Sequence, residues 1–300
     1  MKNALKEKML AGERTLGTFF ETGSTTVTQC LGLAGLDYII IDNEHGPFDP
    51  QSTLEYVRAA KLYGLTPLAR VSEISRPSIL RLLDVGVMGL VIPDVRTVAE
   101  VKRIVEYGKY LPLGKRGVAN TAGSDFWFAE YAQQGLQHYF DVSNAETMLL
   151  PQCETVEALD QIEEIVQIDG IDGIFIGPYD LSVCMGIPGQ FDKTEFREAV
   201  QRILRACKDA GKLCVMFTMD PAEAGRYTQM GFDAVAVSMD ITVLIEGFRA
   251  MVQQIDEAAR EAAEETSETG SLERDARPDM LDVIYEMEDL GMQGGFMYIP

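Results

Sequence analysis

The chain is poor in the residues that build thiolate or imidazole sites: 300 residues include five cysteines, two histidines and one tryptophan. The cysteines (Cys30, Cys153, Cys184, Cys207 and Cys214) are scattered without a Cys-x-x-Cys pair, which argues against a disulfide framework and a thiolate zinc centre. No apolar run approaches the roughly eighteen residues of a membrane span. The N-terminal MKNALKEKMLAGERT lacks the continuous apolar stretch of a secretion signal. The expectation is a cytoplasmic protein with no membrane partner. Positive charge is scarce too, with 26 basic residues against 47 acidic ones and a net charge of −21. A surface that negative repels phosphate backbones, so nucleic acid is not an expected partner.

What is present is a repeating alternation. Eight short, mostly apolar runs occur: LGTFF (16–20), YIIID (38–42), LTPLARV (65–71), GLVIPDV (89–95), TMLLPQCE (147–154), GIFIGP (173–178), LCVMFT (213–218) and AVAVSMD (234–240). Continuous rather than alternating apolar character is expected of parallel strands covered by helices. The segments between carry helix signals. Asp49 precedes Pro50 with Gly64 as a stop, Thr97 and Glu100 form a capping box, and Asp220 with Glu223 repeats that device. Eight βα units in about 250 residues predict a closed (β/α)8 TIM barrel. An open doubly wound sheet is the alternative, but no Gly-x-Gly-x-x-Gly follows the first strand.

Two segments depart from the repeat. LGKRGVANTAGSDFWFAEYAQQG, holding Lys115, Arg116 and Trp127, is long enough to be a functional loop, a subunit contact or an extra surface helix. From residue 255 onward there are thirteen acids against three arginines. The expected division is therefore a barrel domain over 1–255 and an acidic C-terminal extension over 256–300. Within that extension a linker precedes the helical pattern MLDVIYEMEDLG and an apolar end.

In such barrels chemistry sits where strands exit into helices. Those exits deliver Asp42, Glu44 and His45, then Arg70, Asp94, Gln152 with Glu154, Asp180, Asp220 and Asp240. No lysine falls on an exit, which excludes an imine-forming aldolase. Carboxylates without thiolates suit a hard cation such as Mg²⁺ or Mn²⁺. Asp220 and Asp240 have a simpler reading as helix caps, and Asp94 as turn chemistry. Glu154 does not: Gln152 and Glu154 point at one face of a strand, into an otherwise apolar barrel, and Asp180 leaves the adjacent strand. Arg70 reads either as a structural ion pair or as a fork for a carboxylate or enolate oxygen. His45 is either a hydrogen-bonded structural residue or a proton acceptor. His138 reads as helix surface.

The segments IDNEHGPFD, PLARV, LLDVGVMGLVIPDV, LLPQCET and DGIFIGPYDLSVCMG resemble the HpcH/HpaI family, in order and at matching spacings, from about Leu16 to Met251. The resemblance implies a divalent-metal-dependent class II aldolase of 4-hydroxy-2-oxo acids or 2-dehydro-3-deoxy-sugar acids, with Mg²⁺, Mn²⁺ or Co²⁺ as cofactor. It also implies pyruvate and an aldehyde as products, and a homo-oligomer, by resemblance a hexamer. It makes His45 the catalytic base, Asp84 the partner that orients it, Arg70 the grip on the oxo acid, and Glu154 and Asp180 the metal ligands, with Gln152 beside the substrate. Phe19 stands at the first strand's exit, where a substrate tail would lie, near Glu21, which is unwelcoming to a second carboxylate. Tyr179 replaces a residue that is often small and narrows or redirects the aldehyde pocket. Oxaloacetate decarboxylation on the same site and a non-catalytic interaction homologue are the alternative readings.

Overall fold

The computed structural model describes residues 2–269, with side chains to 264. Eight parallel strands close into a barrel in sequence order: β1 (Leu16–Phe20), β2 (Tyr38–Asp42), β3 (Thr66–Arg70), β4 (Gly89–Ile92), β5 (Met148–Cys153), β6 (Gly173–Ile176), β7 (Leu213–Thr218) and β8 (Ala234–Met239). This is the expected TIM barrel. Each strand divides its side chains by parity. Ile39 and Ile41 join the layer between strands and helices, whereas Tyr38 and Ile40 join the cluster inside the barrel. The same alternation gives Leu68, Val91, Leu150, Phe175 and Phe217 to the interior.

The lower end of the barrel is closed by the helix Ala4–Leu10, whose Leu5 and Met9 enter the interior cluster. Asn3 ties it down, donating to the carbonyls of Met88 and Glu146. A second device recurs beneath the strands. Asp37, Asp172 and Asp233, just before β2, β6 and β8, accept the backbone N–H groups of Leu16, Leu149 and Cys214 on preceding strands. Each also pairs with a lysine: Lys8, Lys6 and Lys208 respectively. These bonds set strand register at the end away from the chemistry.

The helix starts agree with the sequence at two of three places. Asp49 and Ser52 form a reciprocal cap before Pro50, and Thr97 and Glu100 form the expected box. At Asp220 only half the device is present: its side chain accepts from Ala222 N, while Glu223 turns to Arg226. The long interruption contains the turn Ala122–Trp127 and the helix Leu136–Glu146, and leaves Phe126, Trp127 and Phe128 exposed.

The chain divides into a compact unit ending at Leu244 and a second from Ile245 onward. The helix Asp240–Thr269 runs past residue 255, so the linker expected from 256 is helical as far as 269. Ala and Glu dominate that stretch, and their helix propensity favours a helix there. The helix expected around Met280 and the apolar end lie outside the described residues. Among the described residues, no helix is long and apolar enough to cross a membrane.

The interior is tight where Gly17 faces Tyr38. A Cβ at Gly17 would lie 2.4–2.6 Å from three carbons of the Tyr38 ring. Gly17→Ala is expected to destabilise the barrel by about 1–3 kcal/mol, as read by urea unfolding.

Candidate functional site

The site is made by continuing the inward parity of three strands past their apolar stretch. Ile40 is followed two residues later by Asp42, Leu68 by Arg70, and Leu150 by Gln152 and then Glu154. Asp42 and Arg70 are also direct register partners on β2 and β3. Their side chains therefore meet at the mouth. Arg70 Nε donates to Asp42 Oδ1 at 2.9 Å and Nη2 to Oδ2 at 2.5 Å. Its Nη1 lies 3.2 Å from Glu44 Oε2, and its guanidinium sits 4.8 Å from the centre of the Phe19 ring.

Asp42 does more than pair. Its Oδ1 also accepts the backbone N–H groups of Glu44 and His45, at 3.0 and 3.3 Å. The carboxylate thus shapes the turn that carries the histidine. Gly46 closes that turn, because a Cβ there would come 2.2 Å from the Asp42 carbonyl oxygen. Burial opposes the charge of Asp42, but Arg70 and the two N–H groups prevail and hold its pKa below the usual carboxylate value. Asp42 ended an apolar run in the sequence, and a charge at the inward end of YIIID was the signal of its role.

Opposite lies the acidic pair. Glu154 Oε1 accepts the Asp94 N–H at 2.6 Å, in a turn where Asp94 has φ of 50°. Gln152 Nε2 donates to Glu154 Oε2, while Gln152 Oε1 is buried with no hydrogen-bond partner. Asp180 stands in the first turn of the helix Pro178–Cys184 that follows β6. Gly177 makes room, since a Cβ there would lie 2.5 Å from both Gln152 Nε2 and Glu154 Oε2. Burial, then the charges of Asp180 and Glu44, push Glu154 up to about 7. Two carboxylates that repel each other beside an unpaired amide oxygen form an all-oxygen donor set, which fits a hard divalent cation. Among the described residues no three His, Cys, Asp or Glu groups cluster as metal ligands. A cation held there would take its remaining ligands from water or substrate.

The predicted residues mostly converge. Phe19, His45, Arg70, Gln152, Tyr179 and Asp180 line one cavity of about 350 Å³. Glu44, His45, Asp94, Glu154 and Asp180 line an adjoining one of about 530 Å³. The His45 side chain is 69 % exposed, with Nε2 3.8 Å from Glu44 Oε2. Asp84 does not join them. The helix Arg76–Asp84 leaves the mouth after β3 and ends beneath β4, so within one chain Asp84 stands at the opposite end of the barrel from His45. There it accepts from Arg116 at 2.9 Å. Within one chain, then, Asp84 and His45 are not neighbours, and the nearest carboxylate recorded for the imidazole is Glu44.

A pH dependence follows from Glu154. Its folded pKa of about 7 exceeds the usual 4.5, so its contribution is complete below 4.5 and is lost as pH rises through 7. Chelated protein is therefore expected to lose stability between about pH 5 and 8, by up to roughly 3 kcal/mol. In thermal unfolding with EDTA, Glu154→Gln should flatten that slope.

The family model described as HpcH/HpaI aldolase/citrate lyase matches residues 15–247. The hydroxypyruvate/pyruvate aldolase of Cupriavidus necator is 34% identical over 261 residues, 87% of this chain and 95% of its own. The 4-hydroxy-2-oxo-heptane-1,7-dioate aldolase of Salmonella typhimurium is 34% identical over 252 residues, 84% of this chain and 94% of its own. The crystal structure of an HpcH/HpaI aldolase from Desulfitobacterium hafniense superposes with a TM-score of 0.79 at 30% identity, covering 86% of this chain and 98% of that one. The chain belongs to the HpcH/HpaI aldolase/citrate lyase family of divalent-metal-dependent carbon–carbon lyases.

Proposed function

We propose that the barrel catalyses the reversible aldol cleavage of a 4-hydroxy-2-oxo acid to pyruvate and an aldehyde, with Mg²⁺ or Mn²⁺ held by Glu154 and Asp180. The observation that carries this reading is the convergence of His45, Arg70 and Asp180 on one cavity, with Glu154 beside them in the next. The names of the aldolase relatives point to the same reaction. When bound, the cation supplies Lewis-acid polarisation of the 2-oxo group.

The chain's own residues do the rest. Asp42 occupies Nε and Nη2 of Arg70, which leaves Nη1 as the atom to face the substrate, in exchange for Glu44. His45 takes the proton of the C4 hydroxyl. The C3–C4 bond breaks, the new carbonyl leaves as the aldehyde, and the bonding pair becomes the enolate of pyruvate. Arg70 is fixed before the reaction and faces the charge that builds there, so its orientation costs nothing in the transition state. Protonation at C3 completes pyruvate.

The reading extends to a homo-oligomer in the cytoplasm. Phe126, Trp127 and Phe128 are exposed together, and Ile245, Phe248, Met251, Val252 and Ile255 are exposed at spacings of three or four on one helix. Apolar surface of that extent is characteristic of subunit contacts. The free thiols of all five cysteines agree with a reducing compartment.

Cleavage of a 4-hydroxy-2-oxo acid, followed as pyruvate release, is expected to fall at least about 100-fold in His45→Ala and to vanish in Glu154→Gln. EDTA should abolish it and Mn²⁺ restore it; full activity in EDTA contradicts the metal assignment. Light scattering should give a mass that is a multiple of 33.2 kDa, reduced by Phe248→Glu.

A further inference from the structure

A third cavity, of about 510 Å³, opens beside the catalytic mouth, between the exits of β6 and β7 and the helices Thr194–Asp209 and Pro221–Met230. It shares Pro178, Tyr179, Phe217 and Met219 with the mouth, so the two spaces are separated by one layer of side chains. Tyr179 is the largest member of that layer. Its ring packs edge-on against Phe191 at 5.0 Å and lies 6.2 Å from Phe217, yet the residue is 44 % exposed. Beyond it the walls are Phe191, Phe196, Val200, Tyr227 and Met230.

The charges around this chamber are already committed. Arg197 pairs with Asp192 at 2.6 Å, and Arg226 pairs with Glu223. The Asp220 carboxylate is occupied by the Ala222 N–H at 2.7 Å. In the mouth itself Arg70 is held by Asp42 and Glu44. A ligand carrying a second carboxylate would therefore meet more acid than free cation, whereas an apolar group would be received by aromatic rings and methionines.

We propose that this chamber receives the tail of a neutral, apolar acceptor aldehyde, aromatic or branched, and that Tyr179 is the partition that sets how the tail enters. The inference rests on the aldolase reading and names its substrate class. The reacting carbonyl stays in the mouth near His45, and only the part of the aldehyde beyond it passes the partition. Tyr179 is thus a specificity-determining residue adjoining the proposed cation ligand Asp180.

The test uses the full chain loaded with Mn²⁺. Aldol addition of pyruvate to 3-phenylpropanal, glycolaldehyde and succinic semialdehyde is compared, and exchange of the pyruvate methyl protons in D₂O, read by NMR, reports enolate formation without any aldehyde. The expected kcat/KM for 3-phenylpropanal is roughly tenfold or more above that for either other acceptor. Gln201 lies exposed at the chamber's rim, and Gln201→Trp should raise KM for 3-phenylpropanal about tenfold more than KM for glycolaldehyde. Preserved proton exchange in that variant shows that the barrel and its mouth are intact. A preference for succinic semialdehyde, or an equal effect of Gln201→Trp on all acceptors, overturns the inference and leaves the aldolase reading standing. Absence of proton exchange in the unmodified protein overturns that reading, and the inference with it.

Discussion

The mouth of this barrel depends on one buried ion pair. Asp42 and Arg70 face each other across neighbouring strands in direct register, and the guanidinium presents two N–H donors along one edge to one carboxylate. Such a pair is not a net source of stability, because both charges give up water to form it. Losing one partner is another matter, since an uncompensated buried charge costs about 3–5 kcal/mol. The pair gives direction in return. The carboxylate that fixes Arg70 also accepts the N–H groups of Glu44 and His45, so the positions of the arginine and of the histidine's backbone are set by the same two oxygens.

That anchor also fixes the balance of charge around it. Asp42, Glu44, Glu154 and Asp180 stand about the mouth, and Arg70 is the arginine whose charge bears on Glu44 and Glu154. Arg70 is consumed mainly by Asp42, so the acids on the far side face one another with little relief. Burial raises the pKa values of Glu44 and Glu154, and the neighbouring carboxylates add to it. A divalent cation held by Glu154 and Asp180 would relieve that repulsion, and a local negative potential favours such binding. The acidic composition of the whole chain says nothing of this arrangement. Side-chain parity on β2, β3 and β5, with the turn that follows β6, produces it.

Parity is also why so much was legible in the sequence. Strands of four to six residues with continuous apolar character stood out, and the polar residue closing each run marked the end that faces solvent and chemistry. Gln152 and Glu154 could be assigned to the interior from their two-residue spacing alone. Asp42 was visible at the same kind of position, but its double role needed the register of β2 against β3, which no single strand contains. The placement of Asp84 was hidden for a related reason. Its motif lies close to the site residues in the chain, yet the helix that carries it runs antiparallel to the strands and delivers it to the other end. The stretch from 256 to 269 reads as a linker by charge, whereas its alanines and glutamates favour helix without any apolar face to reveal it. At Asp220 the capping pattern was complete in sequence, but Glu223 had a competing partner, Arg226, one turn along.

The exit of β6 shows how such a site can keep its chemistry while changing its substrate. Gly177 has no freedom, because any side chain would strike Gln152 and Glu154. Pro178 fixes the first turn of the following helix, and Asp180 is carried by that turn. Tyr179 lies between these two constrained positions, and its own side chain packs against Phe191, lining both the mouth and the chamber beyond. A change of size at 179 would therefore alter what the aldehyde meets without moving the backbone that holds Asp180. On the proposed reading, binding of the oxo acid and choice of the aldehyde are separated by a single peptide unit, so one can vary while the other stays fixed.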